Sequence, residues 1–140
     1  MVVGTCAAEG FVWRRKGDSL LLFGKALSKG WKPVYQHTRG YVAVALHSSC
    51  EVGMDIEQYG TRVRKVASRF IRSDEEPAMM EGDEVYALLL HWSAKEALFK
   101  LMGVEEVDFI RHLRIFPFSL SEEGEFEACE YRTGRQERYR

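Results

Sequence analysis

Between Glu84 and Met102 the chain is dominated by Ala, Leu, Glu and Lys, and the run stops at Gly103. Those residue types lose little freedom in a helix, and a glycine directly after them supplies the left-handed position at which helices commonly end. The segment predicts one long helix, about Glu84 to Met102, beginning after a Gly82-Asp83 break. The rest of the chain must supply what packs around that helix.

On both sides of it the pattern is β-like. Residues 11–15 and 19–23 are β-prone runs about the turn-like Lys16-Gly17-Asp18, which predicts a hairpin. Residues 24–33 show no period and read as a loop. Residues 41–46 and 52–57 carry the strongest β pattern, and His47-Ser48-Ser49-Cys50 between them predicts a second hairpin. Residues 113–120 and 124–131 predict a third. Before the long helix, residues 61–71 take a helical period, with Val63, Val66, Ala67 and Phe70 on one face and Arg62, Lys65, Arg69 and Arg72 on the other. Residues 73–77 offer a cap, acidic residues and Pro77, so a short further helix is expected there. The polar tail, residues 132–140, is expected to fray. The order strand-rich, helical, strand-rich in 140 residues predicts a single α+β domain, a largely antiparallel sheet with helices packed on one face.

Charge narrows the function classes. Twenty basic residues against twenty-one acidic ones leave a formal net charge of -1, so no global excess draws this chain to nucleic acid. No run approaches the roughly 20 apolar residues that span a bilayer. Cys6, Cys50 and Cys129 lack metal-ligand spacing and read as reduced thiols, and the first ten residues lack the basic start of a secretion signal. The cytoplasm is the expected location, with no membrane partner.

Two short segments carry chemistry. Asp55 and Glu57 are two apart on a predicted strand and leave the same face, while Met54 and Ile56 are expected to point into the core. On the long helix Trp92, Glu96 and Lys100 follow at intervals of four and share a face, with Lys95 one step around. Each set alone reads as solvated charge. Together, three carboxylates and two lysines match the needs of a Mg²⁺-bound pyrophosphate, since Mg²⁺ takes hard oxygen ligands and shares its coordination with substrate phosphate.

The pattern Gly53-x-Asp55-x-Glu57, about 40 residues before Trp92-Ser93-x-Lys95-Glu96-Ala97-x-x-Lys100, resembles the signature of the 4′-phosphopantetheinyl transferase superfamily. His37-Thr38 resembles the histidine-serine motif of its larger, surfactin-type (Sfp-like) branch, and Arg69-Phe70 followed by Glu75 resembles an intervening aromatic-acidic motif. The resemblance covers about residues 24–120. It implies Mg²⁺-dependent transfer of the phosphopantetheine arm of coenzyme A to a serine of an apo acyl or peptidyl carrier protein, releasing adenosine 3′,5′-bisphosphate. By position, Asp55, Glu57 and Glu96 would ligate Mg²⁺, for which Mn²⁺ could substitute. Glu96, or a group beside it, would take the serine proton, Lys95 would neutralise developing charge and Lys100 would steady a phosphate. Lys25, His37 and Thr38 would contact coenzyme A, although Ala26 stands where the family usually has proline. The basic face Arg62, Lys65, Arg69 and Arg72 could dock an acidic carrier protein.

The resemblance also implies an organisation. Residues 1–50 would be a shortened first half, residues 51–131 the catalytic half and residues 132–140 a polar tail. A homodimer could complete the cleft. The same motifs would serve a relative that binds coenzyme A or a carrier protein without transferring anything.

Overall fold

The computed structural model describes residues 10–27, 34–45, 50–75, 82–134, 136 and 138–139. In chain order the elements are β1 (Gly10–Lys16), β2 (Ser19–Leu27), β3 (Val34–Thr38), β4 (Tyr41–Ala45), β5 (Cys50–Gln58), a 3₁₀ segment (Thr61–Arg69), α1 (Glu84–Met102), β6 (Leu113–Ile115), β7 (Glu123–Phe126), β8 (Ala128–Glu130) and β9 (Arg138–Tyr139).

Helix α1 starts and stops where the sequence predicts. The Asp83 carboxylate accepts from the Tyr86 N–H at 3.1 Å, and Gly103 is left-handed at φ 61°. The β1–β2 hairpin is also as predicted. It turns through Gly17-Asp18, with Gly17 at φ 57°, a conformation that a two-residue hairpin turn favours. Strand β2 runs on through Gly24 to Leu27, where a loop was expected, because β5 pairs along its whole length from Ser19↔Gln58 to Leu27↔Cys50. The remainder of that expected loop, residues 28–33, lies outside the described residues.

Two further pairings correct the expected hairpins. β4 pairs with β3, not with β5, so the strongest β pattern in the chain is divided between two sheets. The turn at residues 46–49 lies outside the described residues. Residues 124–131 likewise split: β7 pairs with β1, whereas β8 pairs with β6. The result is an antiparallel four-stranded sheet in the order β5-β2-β1-β7, a β3–β4 ribbon and a small β6-β8-β9 sheet. The tail is not wholly frayed. Arg138–Tyr139 adds to the small sheet, and Arg138 forms an ion pair with Glu127.

Residues 61–69 wind as 3₁₀ rather than α. Gly60 provides no side-chain cap and the first turn carries no acidic residue, so its amides have little to hold a wider turn. Val63 is buried as expected, and Phe70, just after the segment, is fully buried. Arg62, Lys65 and Arg69 are exposed, but Arg72 leaves that face for Asp74 and the Ile110 carbonyl at 2.7 Å. Residues 73–75 form a turn, and the rest of the expected short helix lies outside the described residues.

The core has two parts. The larger lies between the sheet and α1 and includes Trp13, Leu20, Phe70, Leu88, Leu98 and Leu113. The smaller gathers Leu21, Val52, Met54 and Ile56 against Ala43 and Ala45 of the ribbon. Met54 and Ile56 are buried, therefore, but away from the helix. The ribbon's other face exposes Tyr35, Val42 and Val44. Among the described residues no helix is long and apolar enough to cross a membrane.

Candidate catalytic site

Strand β5 meets α1 at Gly53. A Cβ there would lie 2.1 Å from the Ala97 carbonyl oxygen and 2.8 Å from the Leu101 Cβ, so only glycine permits the approach. That contact brings the next two residues on the same face, Asp55 and Glu57, against the preceding turns of α1. Asp55 is almost fully buried. Its Oδ2 accepts from Ser93 Oγ at 2.8 Å, and its Oδ1 accepts from Lys100 Nζ at 2.8 Å. Trp92 Nε1 donates to Glu57 Oε1 at 2.9 Å. Lys100 also donates to the Met54 carbonyl at 3.3 Å and lies 3.8 Å from Glu96 Oε2.

Crowded carboxylates dominate the electrostatics. Burial, then the Asp55 charge and a shared hydrogen bond with Asp55, push the Glu57 carboxyl up to about 7, while the Trp92 N–H opposes the rise. Burial, then Asp55, likewise raise Glu96, and Lys100 pulls it back. Carboxylates that resist ionising together form a site that a cation would stabilise. Among the described residues no three acidic, histidine or cysteine side chains are closed around a metal position, and Lys100 is the cation at Asp55. The donor chemistry nevertheless fits Mg²⁺, which commonly takes one or two carboxylates and completes its shell with phosphate and water.

Glu57 and Trp92 also line a cleft of about 770 Å³, whose walls include Thr38, Arg39, Arg62 and Lys65. The three cationic side chains are exposed, so the cleft suits a ligand with several negative charges. Residues 51–140, which contain both β5 and α1, match the family model of the 4′-phosphopantetheinyl transferase superfamily. The chain belongs to this superfamily. No curated protein and no solved structure matches it.

Within this phosphopantetheinyl transferase superfamily chain, the residues expected to form the site divide into two groups. Asp55, Glu57, Glu96 and Lys100 come together, and Thr38 reaches the cleft. Lys95 does not join them. Its side chain is fully buried and donates to Glu75 Oε2 at 2.8 Å, the Phe70 carbonyl at 2.5 Å and the Phe109 carbonyl at 3.1 Å. One residue around α1 from Glu96 is enough to turn it toward Phe70 and Glu75, and Glu75 also accepts from the Arg72 and Ile115 amides. Burial lowers the Lys95 pKa and the Glu75 carboxylate opposes the fall. His37 is exposed opposite Val42 on the ribbon's outer face and does not line the cleft. Lys25 occupies a backbone position in β2 opposite Val52, and its side chain lies outside the described residues.

Three contributions are not legible in the sequence alone. Trp92 and Ser93 were visible as motif residues, but their hydrogen bonds to the strand carboxylates depend on the β5–α1 approach. Arg39 carried no signal beyond its place beside Thr38. The pairing of Phe70 and Glu75 with Lys95 could have been suspected from the joint presence of both motifs.

Proposed function

We propose that this chain transfers the 4′-phosphopantetheine arm of coenzyme A to a serine of an apo acyl or peptidyl carrier protein, as a member of the Sfp-like branch. The observation that carries this reading is the meeting of Asp55 and Glu57 on β5 with Glu96 and Lys100 on α1, with Glu57 also lining a cleft that holds exposed cations. Asp55 and Glu57, with Glu96 alongside, would hold Mg²⁺, which when bound would polarise the pyrophosphate as a Lewis acid. Arg39, Arg62 and Lys65 attract the coenzyme's phosphates into the cleft. Lys100, beside Asp55 and Glu96, steadies the phosphate nearest the reaction.

The serine hydroxyl forms the new O–P bond at the β-phosphate as the bond to adenosine 3′,5′-bisphosphate breaks. The serine proton passes to Glu96, whose proton affinity is raised by burial and by Asp55. The exposed cations Arg62, Lys65 and Arg69 provide a face for an acidic carrier.

The test is incubation with coenzyme A, Mg²⁺ and an apo carrier protein, followed by the carrier's intact mass. Gain of one phosphopantetheine arm is expected, and loss of that gain in Asp55→Ala and Glu96→Ala. Coenzyme A binding by calorimetry without any mass gain would instead make the chain a non-catalytic relative.

A further inference from the structure

Ser93 and Trp92 are consecutive on α1, and the two carboxylates they reach are two apart on β5. The chains match in opposite senses: the earlier helix residue holds the later strand residue. Ser93 is fully buried, and a hydroxyl at such a position serves apolar packing no better than a methyl group. Its Oγ is spent on Asp55 Oδ2 at 2.8 Å. Trp92 packs edge-on against Phe70 at 5.3 Å and tilted against Phe109 at 5.8 Å, so its indole plane is fixed from behind. Its one N–H is thereby aimed at Glu57 Oε1, at 2.9 Å. Each carboxylate consequently has one oxygen occupied by a neutral donor from α1. The other oxygen of Asp55 already holds a cation, the Lys100 ammonium.

We propose that Ser93 and Trp92 are positioning residues, each fixing one oxygen of a strand carboxylate so that Asp55 Oδ1 and Glu57 Oε2 are presented together to a divalent cation. Lys100 satisfies Asp55 Oδ1 until the ion arrives and then becomes available to phosphate. This inference rests on the metal reading above and adds to it the groups that orient the ligands. Neutral donors suit the task because they orient a carboxylate without cancelling the charge that attracts the ion.

The experiment is titration of the full chain with Mn²⁺ alone, read by the loss of free Mn²⁺ signal in electron paramagnetic resonance, alongside a thermal melt. Four variants are compared with the wild type: Ser93→Ala, Ser93→Thr, Trp92→Phe and Asp55→Ala. The expected result is Mn²⁺ affinity about 10-fold weaker or more in Ser93→Ala and Trp92→Phe, with most of it restored in Ser93→Thr. Asp55→Ala should abolish specific binding. Wild-type affinity in Ser93→Ala and Trp92→Phe, with binding still lost in Asp55→Ala, would overturn the positioning role while leaving the metal site intact. Equal Mn²⁺ binding in the wild type and Asp55→Ala would remove the metal site and the positioning role with it. Should Ser93→Ala fail to fold, Trp92→Phe, which keeps an aromatic ring between Phe70 and Phe109 but loses the N–H with the rest of the indole, decides the matter, the thermal melt reporting the packing lost with it.

Discussion

Replacing His91 by leucine should make the protein less sensitive to acid. The imidazole is buried within α1 beside Phe118, at 5.3 Å between ring centroids, and among the described residues neither ring nitrogen has a hydrogen-bond partner. Burial, and secondarily the charge of Lys95, lower its pKa from 6.5 to about 3. The folded state therefore refuses a proton that the unfolded chain accepts. Stability from this group is complete above pH 6.5, and falls as the pH drops from 6.5 toward 3, by at most about 1.4 kcal/mol per pH unit. Between pH 7.5 and pH 5.0 the loss amounts to about 2 kcal/mol. Glu57 works in the opposite direction, because its raised pKa lets the folded state take up a proton between about 7 and 4.5. The wild-type profile alone would consequently mix the two effects, whereas subtracting the His91→Leu profile isolates the histidine. Urea unfolding followed by tryptophan fluorescence at pH 7.5 and 5.0 provides the comparison. The stability of His91→Leu relative to wild type should rise by about 2 kcal/mol on acidification. A difference that stays constant between the two pH values would refute the assignment of a buried neutral imidazole.

Three other perturbations test separate parts of the structure. Gly53→Ala sets a Cβ against the backbone of Ala97, which no rotamer can relieve; a loss of about 3 kcal/mol and a melting temperature lower by roughly 10 °C are expected, and an unchanged melt would contradict the β5–α1 approach. Lys95→Met leaves the Glu75 carboxylate buried without its cation and should cost about 3–5 kcal/mol in urea unfolding, with partial recovery on adding Glu75→Gln; a near-neutral Lys95→Met would mean that the lysine is not the anchor of that turn. Arg62→Glu with Lys65→Glu should weaken coenzyme A binding in calorimetry at least about tenfold, and wild-type affinity should fall with added salt. Unaltered binding would place the coenzyme elsewhere.

What could be read from the sequence was what neighbouring residues decide among themselves. The glycine cap that ends α1 and the turn at Gly17 are local chemistry, and both are found where the residues predict them. Pairing was harder. Residues 41–46 and 52–57 look like a hairpin because they are adjacent and equally β-prone, but β5 has two faces to cover and finds its ladder in β2 and one of its covers in the β3–β4 ribbon. No local pattern distinguishes those outcomes. The order and spacing of the two motifs did indicate that Asp55, Glu57, Glu96 and Lys100 would meet. Lys95 departs from its expected place for a physical reason: a lysine on a helix is ordinarily solvated, and its burial becomes tolerable only where Glu75 and two backbone carbonyls converge from 14 to 25 residues away in sequence.

The covering of β5 on both sides has a consequence for how errors in this fold would appear. Every second residue of the strand belongs to the chemistry and every other one to the apolar ribbon contact, so sliding its pairing with β2 by one residue would exchange the two sets. Met54 would then press where Gly53 alone fits, and the carboxylates would be driven among Ala43, Ala45 and Leu21. A misregistered chain would thus lose its packing together with its aligned acids. Folding in this protein doubles as quality control for the site.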